Sequence, residues 1–537
     1  MSTWRQSRSL AHYSLEDDIQ QRQTCYAGTQ LPKSGISDLR LRDGASGLAD
    51  DRNVVSSGTV CCFLRFEGGN GDSAMIHPQR MEVGEQMQDS SGRVAHSLAA
   101  FITTANAALM PTEVITKAKT CLIDFLACVF EAHELPWGKQ AIEYASFCPS
   151  GPSTVLGTNV KTAATEAAFV NGALGHSLLR EDMHVAAKSH LGVVVWPALL
   201  ALAEMNEATG EDLLAAAIVG YEVGGRIGRA LFDDELAGKL RPTGTVGPLA
   251  AAAAGARLLG LNTEQTVAAL GFAANAACGV NEWSWAAGTE VFFHAAFAAR
   301  SAVTAVLLAR TGAFASPTAI DGRAGLFAAY DRRERARFIV PLGDGNYEIN
   351  SVYWKPAPAC NFVQSPCQAA LKLVEKGVNS ADIEKVTVRT FHSAIEYPGC
   401  NNPGPFPGVL AAKMSIQYSV AATLVRGAIE ETNYAQPADS RILDLAKKIE
   451  LVADPEFQVA FPGKQGTTIN VILRNGLQLS ETRDDIRSLD AAMVRSRFKN
   501  VAAVRFNGDS VRAMLSIIDD LGSGGRPGVL AATTMRP

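Results

Sequence analysis

The chain has 537 residues, 47% hydrophobic and 19% charged, with a formal net charge of −5. That balance belongs to a globular protein able to bury a large core without disulfide or metal staples. The weak negative charge argues against nucleic acid or an anionic membrane as main partner. Length predicts two or more domains, and no run of about 18 uncharged apolar residues reads as a membrane span.

Residues 1–90 are rich in Ser, Gly, Asp, Arg and Gln and lack sustained periodicity. They are predicted to be a disordered or weakly ordered extension. No apolar core follows the start as a secretory signal needs, and Glu16, Asp17 and Asp18 oppose a mitochondrial transit peptide. From Val94 the pattern becomes helical. Pro111-Thr112-Glu113 reads as a helix start with Pro in the first turn. Val114, Ala118, Cys121, Phe125 and Cys128 follow on one face. Alanine and glycine recur at helical spacing, and through about residue 340 the chain reads as all-helical.

Near Pro341 the material changes. IEKVTVRTF at 383–391 alternates as a strand does. TTINVILRNGLQLSETR at 467–483 reads as two strands around Asn475-Gly476, a hairpin signal in which both turn residues take positive φ. An apolar helix carrying Tyr418 lies between them. The expected fold is mainly α with a smaller α+β domain. The extension is 1–90, the helical domain 91–344 and the α+β domain 345–490. Residues 491–523 return to the helical domain, and 524–537 are a flexible tail. No Walker loop or dinucleotide-binding glycine fingerprint occurs. Ten cysteines occur without CxxC or zinc spacing. The expectation is reduced thiols and a cytoplasmic protein, with the mitochondrial matrix as the alternative.

The unusual stretch is GHSLLREDMHVAAKSHLG at 175–192. Three histidines (His176, His184, His190) stand with Arg180, Glu181, Asp182 and Lys188 between two apolar helices. Polar groups at a buried helix junction need partners or a job. The bland reading is a solvated loop with a helix cap.

The order of segments resembles the MmgE/PrpD family, which includes 2-methylcitrate dehydratases and cis-aconitate decarboxylases. The resemblance covers about 94–523. It is carried by KAKTCLIDFLAC, AAFVNGALGHSL, RPTGTVGPLAAAAAGARLLGL, WKPAPACNFVQSPCQAA, DIEKVTVRT and MSIQYSVA, in that order. It implies a large helical domain, a smaller lid domain, a homodimer, and neither metal nor organic cofactor. Position by position it puts His190 on the family's histidine, Glu181-Asp182 on its acidic pair, Lys355 on its lid lysine and Tyr418 on its lid tyrosine. Four positions depart: Leu179 replaces an acidic residue, Arg241 a histidine, Glu290 a lysine and Gln364 a histidine.

Dehydrating a β-hydroxy acid requires a base for the proton α to a carboxylate, an acid for the departing hydroxyl, and cations for the carboxylates. The catalytic candidates are His190, Tyr418, Asp182 as a carboxylate orienting a histidine, and Lys188. The substrate-binding candidates are Arg241, Lys355, His184 and Glu290; Lys355 is expected to close from the lid. Glu290 either pairs with Arg241 or serves in proton transfer. His294, Cys360 and Cys367 read as core residues. His176 reads as a site residue or a helix cap, and Trp283 and Trp285 as pocket wall or core. The first reading is a dehydratase of 2-methylcitrate or a longer alkylcitrate, a small polycarboxylate. The alternatives are a cis-aconitate-type decarboxylase, a dicarboxylate epimerase, or an inactive scaffold.

Overall fold

The computed structural model describes residues 93–535; the extension expected at 1–90 lies outside the described residues. Helices Thr112–Ala132, Ala164–His176, Gly192–Asn206, Gly210–Leu231, Pro242–Leu258 and Val291–Arg310 build a helical body. Gly192–Asn206 is its axis, buried on every side from Gly192 to Ala203. Small residues let the helices approach closely. A Cβ at Gly247 would stand 2.9 Å from Val194 Cγ1 and 3.0 Å from Ala298 Cβ, distances that two carbon atoms do not share without displacement. The Val291–Arg310 helix is long and apolar enough to cross a membrane. It packs instead against Ala164–His176 and Pro242–Leu258, with Val291, Phe292, Ala295, Ala299 and Val303 buried.

A second apolar cluster fills the α+β unit. Its four-stranded sheet runs Ile449–Ala453, Ile383–Thr390, Thr467–Leu473, Gln478–Arg483 in spatial order. The first pair is parallel and the others antiparallel. Val386 and Val388 stand opposite Val471 and Ile469, and all four are buried. Each such side chain contributes about 1.5–3 kcal/mol relative to exposure. Helices Gln364–Glu375 and Ile416–Arg426 pack on the sheet. The hairpin forms where expected, but its turn differs: of the pair Asn475-Gly476 only Gly476 has positive φ, at 84°. That suits a type I turn closed by a glycine bulge.

Three further features depart from the expectations. Two-residue strands occur inside the helical body, Met183–His184 among them. The strand Ile449–Ala453 was not foreseen. The segment taken for a frayed tail contains a helix, Pro527–Thr533, with Leu530 and Ala531 buried. Before it, Ala491–Ala502 lies on the helical body, where Phe130 packs against Phe498 and Phe506 with ring centroids 5.9 and 4.9 Å apart.

Candidate active site

The polar island occupies the junction between Ala164–His176 and Gly192–Asn206. His176 is the last residue of the first helix. Two non-glycine residues in the junction take left-handed backbone, Leu179 at φ 56° and Lys188 at φ 53°; such strain gathers where surrounding structure enforces it. Met183–His184 pairs antiparallel with Val352–Tyr353, which carries Lys355, two residues on, to the island. The Lys355 ammonium donates to the Leu179 carbonyl.

Glu181 organises the centre. Its Oε1 lies 2.5 Å from His176 Nδ1 and 3.1 Å from His190 Nδ1. Burial opposes its charge, but His176, His190 and Lys355 together hold the carboxyl well below the usual range. Arg241, at the start of Pro242–Leu258, donates from Nη2 to His176 Nε2 at 3.1 Å. An Nε2 that accepts from a guanidinium has no proton, so His176 carries its proton on Nδ1, toward Glu181. His190 Nδ1 meets the Asp182 carbonyl at 3.0 Å as well as Glu181. Both partners only accept, so His190 is protonated at Nδ1 and its Nε2 keeps a free lone pair. Burial lowers both histidines, His190 strongly, which keeps the imidazoles neutral.

Around these groups lies a cavity of about 310 Å³. His190, Arg241 and Lys355 line it, as do Trp283, Met183, Val185, Phe362 and Phe461. Burial pushes the Lys355 ammonium down to about 8, against the pull of Glu181. Arg241 is 8% exposed, and among the described residues no carboxylate forms an ion pair with it. Its Nε is buried without a partner, while its guanidinium lies 5.7 Å from the Trp283 ring centre. Two buried cations, Arg241 and Lys355, therefore face one chamber; Glu181 beside them is held by two imidazoles, Asp234 in the wall is taken by Lys188, and among the described residues Glu396 in the wall forms an ion pair with neither cation. Unpaired buried charge is costly, and an anionic ligand would relieve that cost.

The structure brings His190, Arg241 and Lys355 together but places the other candidates differently. Asp182 meets His190 through its carbonyl. Its carboxylate accepts from Tyr221 Oη and from Gly192 N at 3.0 Å, and burial raises it to about 7. The carboxylate that orients the histidines is Glu181. Lys188 reaches the cavity, but its ammonium is engaged by Asp234 at 2.7 Å. His184 lies outside the cavity wall, its Nε2 2.8 Å from Glu348 Oε2. Glu290 is exposed at the start of Val291–Arg310 and forms no pair with Arg241. Tyr418 is buried within the α+β unit, where its hydroxyl donates to the carbonyls of Asn433 and Gln436 at 3.1 and 3.3 Å. Lys355 does not close from the lid: Trp354 beside it belongs to the body core, and its own carbonyl accepts from Arg497 Nη1 at 3.0 Å.

Several site residues escaped sequence reasoning. Glu181 was visible only as half of an acidic pair. Tyr397, His392 and Glu396 line the cavity from the α+β unit. Cys360 read as a core residue for want of a basic neighbour. It lines the cavity near Lys355, with Sγ 3.7 Å from Cys400 Sγ. A hydrogen bond from the Cys400 thiol lowers Cys360 against the effect of burial, with Lys355 assisting. Trp283 forms cavity wall, whereas Trp285 is 71% exposed. Among the described residues no group of three or more His, Cys, Asp or Glu side chains is arranged to hold a metal.

Residues 96–339 match the MmgE/PrpD N-terminal domain and residues 357–516 the MmgE/PrpD C-terminal domain. The chain belongs to the MmgE/PrpD family. A cis-aconitate decarboxylase-like protein of Aspergillus oryzae is 33% identical over 264 residues, 48% of this chain and 52% of that protein. A cis-aconitate decarboxylase of Aspergillus terreus is 26% identical over 70% of this chain and 81% of its own length. A 2-methylcitrate dehydratase of Salmonella typhimurium is 29% identical over 68% of this chain and 79% of its own. The MmgE/PrpD family thus spans dehydratases and decarboxylases of citrate-like acids, and Lys355 lies between the two domain matches, just before the second begins.

Proposed function

We propose that this MmgE/PrpD protein is a cofactor-independent lyase that dehydrates a citrate-like tricarboxylate bearing an alkyl substituent, 2-methylcitrate or a longer alkylcitrate. The observation that carries the reading is the tautomer of His190. Its Nδ1 proton is committed to Asp182 and Glu181, leaving a neutral Nε2 lone pair at the cavity. That is the form of a general base, able to take the proton α to a carboxylate. Arg241 holds one carboxylate through two parallel hydrogen bonds, and the Lys355 ammonium holds another. Both cations also stabilise the charge that develops on the carboxylate as the proton leaves. The apolar wall of Met183, Val185 and Phe461 suits an alkyl group better than a further carboxylate.

The second reading is decarboxylation of a cis-aconitate-type acid, favoured by the names of the Aspergillus relatives. Loss of carbon dioxide requires no base, so decarboxylation would leave the His190 Nε2 lone pair without a task, whereas proton abstraction uses it. An inactive scaffold would have no reason to keep two buried cations and a neutral imidazole on one chamber. The test is incubation of the purified protein with 2-methylcitrate, a longer alkylcitrate and cis-aconitate, followed by mass spectrometry. Loss of water from the citrates is the expected result. Loss of carbon dioxide from cis-aconitate alone would overturn it in favour of the second reading.

A further inference from the structure

A base accounts for half of an elimination; the departing hydroxyl needs a proton. The hydroxyl expected to supply it, on Tyr418, faces backbone carbonyls away from the cavity. Tyr397 follows the short helix His392–Glu396 and stands in the cavity wall. Its oxygen lies 3.3 Å from Asn281 Nδ2, and the same Nδ2 lies 2.9 Å from the Ala237 carbonyl. A carbonyl can only accept, so Ala237 fixes that atom as the amide nitrogen. Asn281 therefore donates to Tyr397, and the phenolic proton is left for another partner. Among the described residues none receives it. Asn281 is itself held by backbone: its N–H donates to the Lys239 carbonyl at 3.0 Å, while Arg241 N–H donates to the Gly279 carbonyl at 2.9 Å. One small backbone ladder thus positions both the guanidinium and the amide that orients the phenol. Burial raises the phenol above its usual range, against Arg241, so it is protonated at neutral pH.

We infer that Tyr397 is a catalytic residue, the proton donor to the departing hydroxyl of a β-hydroxy polycarboxylate. The assignment rests on the dehydratase reading. In the step, His190 Nε2 takes the proton α to a carboxylate and the freed electron pair forms the carbon–carbon double bond. The β carbon–oxygen bond breaks, and the hydroxyl leaves as water with the Tyr397 proton. The enzyme is left with imidazolium and phenolate, and solvent water returns the proton from one to the other.

The experiment compares wild type with Tyr397→Phe on 2-methylcitrate and on its analogue with fluorine in place of the departing hydroxyl. Fluoride leaves without being protonated. Tyr397→Phe should lose about 10²-fold or more in kcat on the hydroxy acid and about 3-fold or less on the fluoro analogue, while melting as wild type does. Equal losses on the two substrates, or no loss on either, would overturn the assignment while leaving the dehydratase reading intact. If wild type turns over neither substrate, nor a longer alkylcitrate, the dehydratase reading fails first and takes the assignment with it.

Discussion

At the scale of the residue, the arrangement makes separable demands on His190, Arg241 and Lys355. Glutamine at 190 can still donate to the Asp182 carbonyl but offers no basic lone pair. His190→Gln should therefore lower kcat by about 10²–10⁴ with the melting temperature nearly unchanged. Arg241→Lys keeps the charge and loses the fork, so KM should rise with a smaller change in kcat. Glu290→Gln should alter neither KM nor melting, because Glu290 is exposed and forms no pair with Arg241. The Lys355 ammonium, at about 8, is charged below that pH and neutral above it. In the proposed reading the charged form binds carboxylate, so kcat/KM should fall as pH rises through about 8. Lys355→Met should raise KM at pH 7 and abolish that alkaline limb; a limb that persists in the variant would assign it to another group.

At the scale of the element, the junction depends on Gly192, whose N–H donates to Asp182 and whose missing side chain leaves room for the pair beside it. A Cβ there would stand 2.7 Å from Tyr221 Oη and 2.8 Å from both Asp182 carboxylate oxygens. Gly192→Ala should cost about 1–3 kcal/mol by overpacking, seen in the urea midpoint, and should lower turnover by displacing the carbonyl that holds His190. Tyr418→Phe tests the opposite case: it should cost about 1 kcal/mol and leave kcat near wild type. These contrasts mark what could be read in advance. The polar island stood out because charged residues between apolar helices have few bland explanations, whereas Arg241 and Lys355 were reached only through the family resemblance. Ile383–Thr390 stood out by alternation and the hairpin by its turn. Ile449–Ala453 was too short and too close to charged neighbours to show a period. Tyr418 was misjudged because an apolar helix says that a hydroxyl needs a partner without saying whether that partner is a substrate or, as it is here, a carbonyl. Glu181 and Asp182 could not be told apart by spacing; only the fold sends one carboxylate to the histidines and the other to Tyr221.

At the scale of the whole molecule, the two cores are joined by two backbone crossings. The chain leaves the helical body after Trp354 and re-enters it at Leu489. The two crossings are hydrogen-bonded to each other: Leu489 N–H donates to the Trp354 carbonyl and Trp354 N–H to Ser488 Oγ, both at 3.1 Å. Ligand held by Lys355, one residue from this seam, should slow hydrogen exchange at the Trp354 and Leu489 amides; unchanged exchange in the presence of saturating 2-methylcitrate would place the ligand elsewhere. In topological terms the α+β unit is a guest inserted into a helical host through a doorway one strand-spacing wide. Such an insertion can be exchanged, enlarged or reshaped without disturbing the host's own path. In the proposed reaction the host supplies the base His190 and the cation Arg241, Lys355 stands at the doorway itself, and the guest supplies Tyr397, His392 and much of the apolar wall. Proton removal and carboxylate binding can therefore remain fixed while the guest alone is altered to receive acids of a different shape.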